Sequence, residues 1–127
     1  MVMHGTNAVV KVYPYIPVQD RFDTQMSMSD EDIKYMKEWG INFVRMGVMW
    51  EAVETAPGVY NTTYLEEMNG LITKLGKNGI YVLVDAHQDV WSRQLCGEGV
   101  PQFYLKDVSH HCWSFENIYG GLFSLLG

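Results

Sequence analysis

The sequence predicts an α/β fold built on parallel strands. Three observations carry that prediction: apolar segments follow the order strand, helix, strand, helix, strand; the second strand segment is apolar on both faces; and each helix is a short crossover. The chain has 127 residues, of which 47% are apolar and 19% charged, with 12 glycines and 4 prolines. Such a composition is globular, and the length allows one domain and excludes several.

Residues 6–13, with Ala8, Val9, Val10 and Val12, read as a buried first strand that Pro14 and Pro17 stop, because proline removes a ladder donor. Residues 18–28 are polar and methionine-rich, a loop. Ser29 and Asp32 have capping-box spacing, with Met28 and Ile33 at the staple positions. A helix is therefore expected over 30–39, with Ile33 and Met36 inward and Gly40 as its stop. Residues 41–48 form the second strand, and a long connection follows over 49–62, with a turn at Pro57 and Gly58. Thr63 and Glu66 make a second candidate capping box. Leu65, Met68, Ile72 and Leu75 make the apolar stripe of a second helix, which Asn78 and Gly79 end. Residues 80–84 are the third strand. Beyond about Trp91 the periodicity fails, and Gly97, Gly99 and Pro101 mark a loop.

Nine basic against 15 acidic residues leave a net charge of -6, and no basic stripe emerges, so no nucleic-acid partner is expected. No stretch reaches the about 18–20 apolar residues of a membrane span. Residues 1–17 lack the basic-then-apolar order of a signal peptide. Cys96 and Cys112 fall short of a disulfide scaffold and permit one bridge in an oxidising compartment. Asn61-Thr62-Thr63 fits the N-glycosylation sequon, which matters in a secreted protein.

Parallel-strand enzymes bind ligands at the carboxyl ends of their strands, and this sequence places polar residues at two such ends. Arg45 lies in an otherwise apolar strand, where a buried guanidinium needs a partner. The simplest is a carboxylate on a neighbouring strand, and a structural ion pair is the plain alternative to an active-site role. Asp85, His87 and Asp89 share one parity if the third strand continues, so all three point into one cavity. There they could accept sugar hydroxyls, orient a catalytic carboxylate or bind a metal. No further Cys or His cluster at ligand spacing supports a metal, and the adjacent His110 and His111 cannot both present along a strand face; neither metal nor cofactor is expected. Trp50 suits core packing and a sugar platform equally. A glycosidase needs two carboxyl groups across the scissile bond, and Glu51 with Asp89 is conceivable, although a loop-face role fits Glu51 and Glu54 better. There is no G-x-S-x-G elbow, dinucleotide fingerprint or P-loop.

Five segments stand in a telling order. They are His4-Gly5-Thr6-Asn7 with Lys11 and Pro14-Tyr15; Trp39-Gly40-Ile41-Asn42-Phe43-Val44-Arg45-Met46-Gly47-Val48-Met49-Trp50; the stretch 61–65; Gly79-Ile80-Tyr81-Val82-Leu83-Val84-Asp85-Ala86-His87-Gln88-Asp89; and Cys96-Gly97-Glu98-Gly99-Val100-Pro101. Their order and spacing resemble the N-terminal third of endoglycoceramidases and their relatives in glycoside hydrolase family 5. The likeness runs over roughly residues 4–105, and His87-Gln88-Asp89 followed by Cys96-Gly97-Glu98-Gly99 favours the glycosphingolipid branch over ordinary cellulases.

The resemblance implies a partial (β/α)8 TIM barrel, about the first three β/α units within residues 1–108, with an irregular, divergent tail over 109–127. A whole barrel needs about 250 residues. Three open strands would leave an unpaired edge, so a stable monomer is not expected without the remainder of the barrel. By position, Arg45 would be the active-site arginine that supports the nucleophilic glutamate, His87 the third-strand histidine, and Asp89 a holder of the sugar next to the scissile bond. Trp50 joins them as a substrate-binding candidate, and Glu98 belongs to a family-like loop without a catalytic role. The implied reaction is retaining hydrolysis of the O-glycosidic bond between oligosaccharide and ceramide, without metal. The family's acid/base glutamate lies in an Asn-Glu pair after the fourth strand and its nucleophile near the seventh. Neither position occurs in these 127 residues, and Glu116-Asn117 has the reverse order. No catalytic residue is therefore expected here, and the chain alone is expected to be inactive. A non-catalytic glycan- or glycolipid-binding remnant, or another family 5 activity such as β-glucosidase, is the alternative. The resemblance further implies a glycosphingolipid or other β-glycoside as partner, membrane-surface contact in the complete protein, and a secreted or lysosome-like location for it.

Overall fold

Alternating apolar residues build the frame of the computed structural model, which describes residues 2–105. The elements are β1 (Gly5–Ala8), α1 (Asp30–Glu38), β2 (Phe43–Met49), α2 (Trp50–Val53), β3 (Glu54–Ala56), β4 (Val59–Tyr60), α3 (Thr62–Lys77) and β5 (Tyr81–His87). Single 3-10 turns follow at Arg93–Leu95 and Gln102–Leu105. β2 lies between β1 and β5, and all three run parallel. α1 and α3 are the crossovers. Val44 and Met46 of β2 are fully buried in one cluster with Ile33 and Met36 of α1 and Met68, Leu71 and Leu75 of α3. Side chains of opposite parity, led by Arg45, face the other side of the sheet.

Local chemistry sets the helix ends. At α1 the Ser29 Oγ accepts from the Asp32 N–H (3.4 Å) while the Asp32 carboxylate accepts from the Ser29 N–H (2.8 Å), the reciprocal box read from the sequence. Burial opposes the charge on Asp32, but hydrogen bonds from Ser27 and Ser29 outweigh it and hold the carboxyl below its ordinary range. Gly40 follows with φ +73°, the left-handed turn that ends the helix.

Several elements depart from the sequence reading. The first strand is four residues long rather than spanning 6–13. After Ala8, the last residue paired with β2, Val9 packs over Gly47, and Lys11 turns away toward the end of β5. The connection over 49–62 is not irregular: it holds α2 and the antiparallel β3–β4 hairpin around Pro57 and Gly58. α3 is capped by Asn61, whose Oδ1 accepts from the Tyr64 N–H at 3.1 Å, and not by Thr63. That start rotates the buried stripe to Tyr64, Met68, Leu71 and Leu75, leaving Leu65 exposed. Tyr64 belongs inside because its hydroxyl is satisfied there, donating to the Tyr15 carbonyl (3.2 Å) and accepting from the Met49 N–H (3.4 Å).

Candidate functional site

Parallel register brings the polar strand ends together. Arg45 pairs across the ladder with Leu83, Gly47 with Asp85 and Met49 with His87, so Arg45, Asp85 and His87 share one face of the sheet. One carboxylate oxygen, Asp85 Oδ2, lies 2.7 Å from Arg45 Nη2 in an ion pair and 2.8 Å from His87 Nδ1. Arg45 thus has its carboxylate on the neighbouring strand. Asp85 also fixes the ring of His87, which is 7% exposed.

The other ring nitrogen looks toward the loop beyond β5. His87 Nε2 lies 3.3 Å from Asp89 Oδ2 and 3.8 Å from Glu98 Oε1. Asp89 and Glu98 are held opposite one another by two backbone hydrogen bonds of 3.0 and 2.8 Å. Gly97 permits this pairing, since a Cβ there would sit 1.9 Å from the Asp89 carbonyl oxygen. Cys96 is disulfide-bonded, and its expected partner Cys112 lies outside the described residues, as do His110 and His111.

Lys11 completes the group from the segment after β1. Its ammonium contacts Asp89 and lies 2.6 Å from Glu98. The hydrogen bond from Lys11 holds the Asp89 carboxyl below its ordinary range, against the opposing effect of desolvation. The same bond, with the one to Glu98, raises Lys11 above the usual lysine value. Arg93 fastens this arrangement from outside: it donates to the Lys11 carbonyl and grips the Glu51 carboxylate at 2.7 Å. Glu51 is therefore committed to a structural pair.

Trp50 stands apart from this cluster. Its indole N–H donates to Glu54 at 2.7 Å and its ring packs on Tyr104 at 5.6 Å. With Val48, Val53, Val84 and Ala86 it lines an apolar hollow, and Val48, Val84 and Ala86 have the parity opposite to Arg45 and Asp85. Glu54, buried beneath it, also accepts from Tyr104 Oη (2.6 Å) and the Gly58 N–H (2.8 Å), and these donors, Tyr104 first, hold its carboxyl low. Asn61 sits at the α3 cap, away from the cluster in sequence and element. Sequence reasoning gave Lys11 and Glu98 no place in the site and did not single out Arg93. The signal for Lys11 was faint: a lone cation just past an apolar strand, in a chain whose polar residues gather at strand ends.

The pattern described as Cellulase (glycosyl hydrolase family 5) matches residues 13–113. The endoglycoceramidase of Cyanea nozakii is 42% identical over 100 residues, which cover 79% of this chain and 20% of that protein. The solved structure of endo-glycoceramidase II from Rhodococcus sp. with a five-membered iminocyclitol is similar at a TM-score of 0.63 and 28% identity, over 80% of this chain and 23% of the other. Sterylglucosidase 1 of Cryptococcus neoformans with tris is similar at a TM-score of 0.67 and 26% identity, over 82% and 17%. The chain spans about a fifth of the length of these relatives.

Proposed function

This chain belongs to glycosyl hydrolase family 5, its parallel sheet and helices are part of an α/β barrel, and we propose that it supplies the sugar-holding wall of an enzyme that cleaves β-glycosides of glycosphingolipids. The observation that carries this reading is the pair Lys11 and Asp89. They bring opposite charges from the ends of the first and third strands, with side chains 45% and 52% exposed, over a buried His87. An ionised carboxylate accepts from two vicinal sugar hydroxyls, and the ammonium donates to a third oxygen. Arg45, anchored by Asp85, keeps further N–H groups on the same face. Hydrolysis then follows the retaining course. A carboxylic acid protonates the glycosidic oxygen, a carboxylate attacks the anomeric carbon, and water releases the covalent intermediate. In this proposal both glutamates come from barrel strands other than the three described.

The likeness to a sterylglucosidase favours a second reading, a β-glucosidase acting on a lipid glucoside. The two readings share the sugar site and differ in the aglycone. Protein carrying residues 1–127 joined to the rest of its barrel separates them when assayed on lactosylceramide, glucosylceramide and a steryl glucoside. Preferred release of the intact disaccharide supports the glycosphingolipid reading. Asp89→Asn is expected to lower kcat/KM about 10- to 100-fold, the worth of a charged hydrogen bond of about 1.5–3 kcal/mol. Unchanged kcat/KM on all three substrates would overturn the assignment of the sugar site. Saturable binding without turnover would leave the remnant reading standing instead.

A further inference from the structure

The cluster at the end of β5 has a property that sugar binding does not require. His87 Nε2, Asp89 and Glu98 offer ligand atoms that all lie within 4.8 Å of one another. His87 is more than nine-tenths buried, and its Nε2 has no hydrogen-bond partner. The opposite ring nitrogen is held at 2.8 Å by Asp85, so the free face of Nε2 points between the Asp89 and Glu98 carboxylates. A carboxylate behind a histidine is the arrangement that orients metal-binding imidazoles.

We propose that His87, Asp89 and Glu98 form a divalent metal site of zinc type, which Lys11 guards by placing its ammonium among the ligands. The distances suit the ion. Donors at about 2.1 Å from a tetrahedral zinc stand about 3.4 Å from one another. Nε2 and Asp89 Oδ2 are already 3.3 Å apart, and Nε2 and Glu98 Oε1, at 3.8 Å, need only a small closing movement. Charge points the same way. Two carboxylates face one ammonium, so a dication balances them where Lys11 does so by half. The Lys11 side chain is 45% exposed and can swing into water, vacating a position for the metal. Three protein ligands leave a fourth position for water or a sugar hydroxyl. Zinc and sugar would then compete for Asp89, although the metal site stands without the glycosidase reading. The guarding lysine lay outside linear spacing, because Lys11 and Asp89 are 78 residues apart in the chain.

Zinc alone is the probe. Protein carrying residues 1–127 joined to the rest of its barrel is titrated with ZnCl2 against a chromophoric chelator, alongside its Lys11→Met and His87→Gln variants, and Co2+ is used to read coordination by its visible spectrum. The expected result is one ion per chain, bound at least tenfold more tightly by Lys11→Met and at least tenfold more weakly by His87→Gln, with the tetrahedral Co2+ bands lost in the latter. Equal zinc affinity in Lys11→Met and wild type would overturn the proposal. So would zinc held undiminished by His87→Gln, which would place it on other residues. Because Lys11→Met is a gain at a half-exposed position, a folding defect cannot imitate the expected outcome.

Discussion

Replacing Gly97 with alanine tests how tightly the site's loop is built. The added Cβ would stand 1.9 Å from the Asp89 carbonyl oxygen and 2.8 Å from both the Asp89 carbonyl carbon and Val90 Cβ. Relief to about 3 Å moves the two backbone segments apart by about 1.1 Å, which takes an N–H···O bond well past its normal range of about 2.7–3.2 Å. The bonds affected are the pair joining Asp89 and Glu98, at 3.0 and 2.8 Å. At about 1 kcal/mol net for each, Gly97→Ala should cost about 2 kcal/mol. Gly70 is the control. It lies inside α3 with no atom within 4 Å of a built Cβ, so Gly70→Ala should stabilise by up to about 1 kcal/mol through helix propensity alone. Urea unfolding of both variants, with unchanged m-values, reads the difference. Gly97→Ala within about 0.5 kcal/mol of wild type, the range of an ordinary surface substitution, would refute the close approach on which the site geometry rests.

The buried stripe of α3 makes a second test. Leu71→Ala, at a fully buried position, should cost about 2–5 kcal/mol, whereas Leu65→Ala on the exposed side should cost under about 1 kcal/mol; comparable losses in urea would restore the stripe first read from the sequence. The Lys11–Asp89 contact predicts a pH dependence with two limbs. Asp89 is held below its ordinary range, so its contribution is present above the unfolded value of about 3.9 and is lost as pH falls through the lower folded value. Lys11 is raised, so its contribution is full below about 10.4 and is lost as pH rises through the higher folded value. The stability difference between wild type and Lys11→Met should therefore be full between about pH 4 and about pH 10 and shrink outside that window, with Glu98 and His87 facing the same pair. A difference that vanished by about pH 6 would remove the pairing.

Legibility in the sequence followed the range of each interaction. The α1 cap was readable because Ser29 and Asp32 satisfy each other within one turn. Arg45 and Asp85 were readable because a charge in an apolar strand demands a partner and parallel register limits where it stands. The β3–β4 hairpin was not readable, since elements of three and two residues carry no period. The α3 stripe was misplaced by counting leucine and isoleucine as core while passing over Tyr64, whose hydroxyl finds partners inside. In the sequence Trp50 suits core packing and a sugar platform equally, because an aromatic ring near a strand end serves either. Only the fold reveals that its indole N–H is taken by Glu54 and its ring by Tyr104.

Charge order explains why so much of the site depends on the first strand's exit. Along the face run Arg45, Asp85, His87, then Asp89 with Glu98, then Lys11, and each carboxylate touches a cation or imidazole from a different part of the chain. Arg45 and Lys11 close the two ends of that row. Arg45 is fixed by the β2–β5 ladder, but Lys11 leaves its strand three residues after Ala8 and is held from behind by the Arg93 grip on its carbonyl and on Glu51. Loosening Arg93 would therefore leave Lys11 held through its side chain, by the Asp89 and Glu98 carboxylates that its ammonium contacts.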